Sequence, residues 1–275
     1  MADLFEARPP STLRQYAILV RIGVTAALQY RADFVLVSLG AVFYEAASLA
    51  FVGVILSAFG DIAGWTLTQI AFVYGIRATG HALHSLLSGQ LWATDVVVRE
   101  GEFDRYLVRP VNPLLQLITR RFQVTAIGDL VFGVAVLVIT AVAAPVTWSP
   151  LRIGYLVLVV IGSACAESAV MLAISALTFR LTVSEPLLSI IDTVFVTFGP
   201  YPVSVLPRVV GYLLTFVVPL AFAGFFPAAL LLGRTPDLFV PVWLAAVSPV
   251  IGVALYGLAV LFFHRQLRYY ASPGH

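Results

Sequence analysis

Long apolar runs separated by short charged or proline-bearing intervals organise this chain: 34–59, 67–91, 124–144, 153–179, 187–206 and 238–263. Each is near or beyond the ~20 residues a helix needs to cross a hydrocarbon core. The pattern predicts an all-α integral membrane protein with six transmembrane helices, forming a single transmembrane domain over 1–275. A further uncharged run, 209–232, is long enough to make a seventh crossing. Parity argues against it, because seven crossings would strand Arg265 and Arg268 outside, away from the other retained arginines. Gly211, Pro219, Gly224 and Pro227 interrupt this run. It is therefore expected to be an external re-entrant hairpin, 207–236, before the last helix, its freed backbone groups buried in protein.

The polar intervals set the orientation. The longest is REGEFDRYLVRPVNPLLQLITRRF, from Arg99 to Phe122, within a cytoplasmic loop spanning 94–123. Pro110 and Pro113 forbid one continuous helix through it, so a short helix, a bend and a second helix are expected. With both termini inside, Arg8, Arg14, Arg21, Arg31, Arg99, Arg105, Arg109, Arg120, Arg121, Arg180, Arg265 and Arg268 fall on the cytoplasmic side, and Arg152, Arg208 and Arg234 outside. Ahead of the first span, Leu13, Ala17, Val20, Val24, Ala27 and Leu28 recur at helical spacing and predict an interfacial helix over 11–31. The charges Asp3, Glu6, Arg8, Arg14 and Arg21 argue against a cleaved signal peptide.

Composition agrees with this class. Hydrophobic residues make up 60% of the chain and charged residues 11%, with mean hydropathy +0.98, against roughly 25% charged in soluble domains. The one cysteine, Cys165, excludes an intramolecular disulfide and a cysteine metal cluster. There is no lysine, so the chain cannot supply a phosphate-binding GxxxxGK[ST] loop and is not itself a P-loop ATPase. Its formal charge is only +2, and no nucleic-acid partner is expected.

Polar side chains inside the spans are the candidate chemistry. Arg77, His81 and His84 lie at i, i+4 and i+7, one face of the second span. Together with Glu45 they are candidates to line a translocation path, although interhelical hydrogen bonding accounts for them as well. Two histidines without a third ligand make no metal site. Glu45 and Glu167 would serve an alternative, a proton-coupled secondary transporter using intramembrane carboxylates. No repeat between the halves supports that class. An intramembrane enzyme would need a nucleophile and base or a ligand cluster, and no catalytic set is visible. Asp129 and Asp192 sit near the expected cytoplasmic ends.

The order QYRADF, AGWT with VYG, REGEFDRYLVRP, YPVSVLP, FPAALLLGR and LRYYASPGH resembles the ABC-2 type transporter permeases, in particular bacterial six-helix exporter subunits, over nearly the whole chain. The resemblance implies a multi-pass protein of the bacterial inner membrane that moves an amphipathic or hydrophobic compound outward by alternating access. It implies two copies of an ABC ATPase subunit, which bind ATP and magnesium, and a second permease, identical or homologous. This chain would bind no cofactor of its own. It further implies a coupling helix after the second span, here Glu100, Gly101, Glu102, Phe103, Asp104, Arg105, Tyr106, Leu107, Arg109 and Pro110. In that segment Phe103, Tyr106 and Leu107 would supply the apolar anchor that dominates such an interface.

Overall fold

The computed structural model describes residues 11–59, 61–181 and 184–272. Asp3, Glu6 and Arg8 of the leader, Thr182 and Val183 of the fourth connection, and 273–275 lie outside the described residues. No strand is present among the described residues, only one isolated pairing between Ile62 and Trp65.

Helix α1 (Thr12–Ala27) precedes the bundle. Its inward side is Tyr16, Leu19, Val20, Gly23, Val24 and Ala27, whereas Ala17 and Leu28 of the expected apolar face are exposed. The reason is tertiary: Phe122 of the loop sits against Gly23 and sets which side faces in. Helix α2 (Arg31–Phe59) leads to the turn at 61–65, where Ala63 and Gly64 both take positive φ. Thr66 then caps α3 (Leu67–Ser88): its hydroxyl accepts from the Gln69 N–H, and the Gln69 side chain accepts from the Thr66 N–H. That reciprocal pair is what a Thr-x-x-Gln sequence offers a helix start.

Between Arg99 and Phe122 two short helices flank the bend at Pro110, as expected, α5 (Phe103–Leu107) and α6 (Pro113–Ile118), and a further short helix, α4 (Thr94–Arg99), precedes them. Gly101 separates α4 from α5 and takes φ +68°, a conformation glycine adopts without steric cost. Asn112 caps α6 by accepting from the Leu114 N–H, with Pro113 in its first turn. Helices α7 (Thr125–Ala143) and α8 (Pro150–Leu181) follow, the latter 32 residues long.

Four described helices, α2, α7, α8 and later α14, are long and apolar enough to cross a membrane. α3 has the length, 22 residues or ~33 Å, but its polar side chains lower its hydropathy. α9 (Glu185–Phe198) has 14 residues, ~21 Å against a hydrocarbon core of about 30 Å. The expected fifth run, 187–206, thus stops being helical early, at Gly199, Pro200 and Pro202. The run 209–232 is broken near Pro219 and at Gly224 into α10 (Arg208–Phe216), α11 (Leu220–Ala223) and α12 (Phe225–Leu231). After α12 the chain reverses at Gly233, φ +71°, so that Arg234 donates to the Gly64 carbonyl at 2.7 Å and lies over the Trp65 ring. Gly224 instead lies against Val73 and Arg77. These stand ~9–15 Å along α3 from its Leu67 end. The last expected run is split by its prolines into α13 (Val242–Ala246) and α14 (Ser248–Gln266).

α3 is the central helix, buried along most of its length between α7 and α8, and α8 pairs in turn with α14. These contacts are close because glycines stand at them. A Cβ on Gly75 would lie 2.8 Å from the Leu137 Cα, one on Gly162 2.5 Å from the Pro249 Cα, and one on Gly252 2.0 Å from the Gly162 carbonyl oxygen. Small residues at such crossings let helix backbones pack where lipid offers no hydrophobic drive. Gly252→Leu should therefore lower the melting temperature of the detergent-solubilised protein strongly. Gly257→Leu, where nothing lies within 4 Å, should leave it nearly unchanged; equal shifts would contradict this packing.

Candidate functional site

The first polar cluster lies on the α3 face formed by Arg77, His81 and His84, turned toward α8. Glu167, 1% exposed at the middle of α8, approaches His81 Nδ1 at 2.6 Å and Arg77 Nη2 at 3.7 Å. His84 Nδ1 lies 2.8 Å from the Ser168 hydroxyl. The Arg77 guanidinium is 6.0 Å from the Phe195 ring centroid on α9. Gly199 lies so close that a Cβ there would stand 2.7 Å from Arg77 Nε. Arg77 is 5% exposed, and its Nε and Nη2 make no hydrogen bond. Asp192 of α9 is within electrostatic reach of His81, Glu167 and Arg77.

Glu45 is separate. It belongs to the contact of α2 with α3, where the Tyr74 hydroxyl donates to its carboxylate and, at 3.2 Å, to its backbone carbonyl. The four candidate path residues thus divide: Arg77, His81 and His84 come together, and Glu45 does not join them. Both carboxylates on which proton coupling would rest are engaged within the chain. Among the described residues no three His, Cys, Asp or Glu side chains are placed to hold a metal ion.

The second cluster is the end of the bundle that carries the loop. Asp95, 2% exposed, accepts from the Thr178 hydroxyl at 2.7 Å, the Ser184 hydroxyl at 2.6 Å and the Ser184 and Glu185 N–H groups at 2.7 Å each. It thereby caps the start of α9 from a different part of the chain, the task Ser184 would otherwise perform locally. Burial pushes the Asp95 carboxyl up, but the Ser184 and Thr178 hydroxyls and the two N–H groups outweigh it and hold it below its ordinary value. A lowered carboxyl contributes stability above the unfolded value near 4 and loses it as pH falls through the folded one, so the link is intact at neutral pH. Beside it, the hydroxyls of Thr94 and Ser175 are 2.5 Å apart.

Phe103 is fully buried, its ring centroid 5.1 Å from those of Phe179 and Tyr270, and Phe179 meets Phe263 at 5.3 Å. Tyr106 is also buried, and Gln116 donates to its carbonyl. These two rings are therefore core of this chain and not the free anchor expected of them. A five-residue helix shows only one side outward, and Phe103 on its aromatic side meets Phe179 of α8 and Tyr270 in the segment after α14. The outward side is Arg99, Glu100, Arg105, Leu107 (44% exposed), Val108 (83%), Arg109 and Pro110. Glu102 pairs with Arg120 at 2.8 Å. Asp104 accepts from Tyr270 at 2.9 Å and Ser272 at 2.6 Å, bonds that hold its carboxyl below the ordinary range. Burial, then the Asp104 bond, push Tyr270 up to about 12.

Asp95 and the Asp104 to Tyr270 clasp were not singled out from the sequence. The one available signal was a lone acid directly before the three valines of TDVVVR.

Three substitutions separate these roles by thermal unfolding in detergent. Phe103→Ala should cost about 3–5 kcal/mol and Asp95→Ala about 2, whereas Leu107→Ala should cost less than about 1. A Leu107→Ala shift as large as that of Phe103→Ala would contradict the assignment of faces. Glu167→Gln, which leaves the buried Arg77 and the half-buried His81 without their carboxylate, should cost about 3–5 kcal/mol; an unshifted melting temperature would show that the pairing carries no stability.

A family model described as ABC-2 family transporter protein matches residues 42–274. No curated protein and no solved structure matches the chain.

Proposed function

This chain belongs to the ABC-2 family of transporter proteins, and from that premise we propose that it is the permease subunit of an ATP-driven exporter of amphipathic or hydrophobic compounds. The observation that carries the reading is the family match over nearly the whole chain. Membership implies association with ABC ATPase subunits, and in this proposal two of them, loaded with ATP and magnesium, act on a pair of permeases in the bacterial inner membrane. The second permease is a copy of this chain or a homologue.

Six crossings are proposed: the four long apolar helices plus α3 and α9. Support for α3 comes from its position, since Arg77, His81 and His84 meet α8 and α9 in place of lipid. α9 is short, and the segment after it completes the passage. Both α1 and the end of α14 lie at the loop end of the bundle, where Phe122 meets Gly23 and Tyr270 meets Asp104. The arginine pattern favours the cytoplasm for that end. On this orientation 207–236 dips in from outside and returns.

Coupling to the ATPase is assigned to the outward side of α5 and its flanks, with Leu107 and Val108 as the apolar contact and Arg105 and Arg109 as the rim. An apolar substrate is supported by a lateral groove of about 560 Å³ between α8, α14 and the break after α10. Its lining of Ala173, Ile174, Phe222, Leu255 and Phe262, among others, offers one polar side chain, Thr215, and its volume lies in the range of small-molecule sites.

The test is co-purification of the tagged chain from its native membrane, followed by ATP-dependent uptake into inside-out vesicles. An ATPase should come with the wild-type chain, and a Leu107→Ala, Val108→Ala double variant should lose at least tenfold of that recovery while staying folded. A chain that purifies without any ATPase under conditions that keep it folded would overturn the reading.

A further inference from the structure

One face of α14 changes character along its length. Val250, Val253, Leu258 and Leu261 are exposed apolar side chains, and the same side continues into His264, Arg265 and Arg268, with Tyr269 beside them. Leu261, Arg265 and Arg268 are four and three residues apart, so they share a stripe. These five residues, Leu261, His264, Arg265, Arg268 and Tyr269, line a groove of about 420 Å³. The Arg180 guanidinium lies 3.7 Å from the centroid of the Tyr269 ring and fixes that wall in place.

The charges in the groove are unanswered. Neither Arg265 nor Arg268 forms an ion pair with a carboxylate among the described residues. Asp104 of the loop is already bonded to Tyr270 and Ser272. His264 is engaged elsewhere: its Nδ1 lies 2.8 Å from the Val260 carbonyl oxygen and its Nε2 3.4 Å from Asn112 Nδ2. Two arginines therefore face one groove whose other end is an exposed leucine.

The spacing matches a bilayer. Arg265 and Arg268 lie ~6–10 Å beyond Leu261 along the helix axis, so with Leu261 at the edge of the hydrocarbon core they fall within or just past a headgroup layer about 5–7.5 Å deep. A free solute anion would use the arginines alone. A phospholipid uses the arginines for its phosphate and the Leu258 and Leu261 stripe for an acyl chain. We propose that this groove is a binding site for the headgroup phosphate of an anionic phospholipid, its acyl chain lying along the exposed face of α14.

Such a lipid would hold more than itself. Tyr269 forms its wall, and the next residue, Tyr270, is packed on Phe103 and bonded to Asp104 of α5. A lipid in the groove would restrain the segment that clasps the loop. This inference needs only that α14 spans a bilayer, so it stands or falls without any ATPase.

The experiment uses the full chain purified in a mild detergent. Phosphatidylglycerol, phosphatidylcholine or inorganic phosphate is added, and retention is read by native mass spectrometry together with the thermal shift. The wild-type chain should retain phosphatidylglycerol over phosphatidylcholine, and millimolar inorganic phosphate should not compete. Arg265→Gln with Arg268→Gln should lower phosphatidylglycerol retention roughly thirty-fold, while Arg152→Gln at the other end should not change it. Equal retention of the two lipids, equal retention by the double variant, or displacement by inorganic phosphate would overturn the assignment. If the double variant does not fold, Arg268→Gln alone and a salt titration of the wild type decide: retention insensitive to both would be equally fatal to the proposal.

Discussion

Everything in the middle of this bundle depends on one buried carboxylate. Glu167 stands at the centre of a 32-residue apolar helix with 1% of its surface exposed, where an ionised group left alone is very costly. It is tolerable because α3 brings His81 and Arg77 to it. That requirement fixes which face of α3 meets α8, and Gly80 of α3, where a Cβ would stand 2.6 Å from the Ser163 Cβ, then allows the two helices to approach. Arg77 in turn reaches α9, where Phe195 and Gly199 are shaped around it. One charge pairing thus sets the relation of three helices. The guanidinium is held without full satisfaction, since two of its nitrogens make no hydrogen bond.

The loop end is built by a different principle. Its short helices could not stand by themselves, because helices of five or six residues lack the length to be stable in isolation. They are held instead by side chains that reach other elements. Asp95 binds the start of α9 and the end of α8, Phe103 enters an aromatic cluster with Phe179, Phe263 and Tyr270, and Asp104 takes the hydroxyls of the segment after α14. A push on α5 would therefore be delivered to α8 and to the segment after α14, and one on α4 to α8 and α9. That is the mechanical property a coupling element needs, and it arises because Phe103 and Tyr106 face into the chain.

The membrane class, most of the long helices, the breaks at Pro219 and Gly224 and the polar face of α3 were legible in the sequence. Each rests on local physics: apolar length against bilayer thickness, proline and glycine backbone limits, and the 3.6-residue period. Tertiary structure alone decided which side of each element faces inward and which polar groups meet. The sequence places Arg77, His81 and His84 on one face but cannot say that Glu167, 86 residues beyond His81, is what that face is for, or that Glu45 goes to Tyr74 instead. Nor could it show that the aromatic side of α5 is core, because Phe103, Tyr106 and Leu107 are equally apolar in a list and differ only in whether other parts of the chain stand over them. Periodicity records what a helix carries; burial depends on the neighbour, and the neighbour is chosen by contacts far apart in the chain.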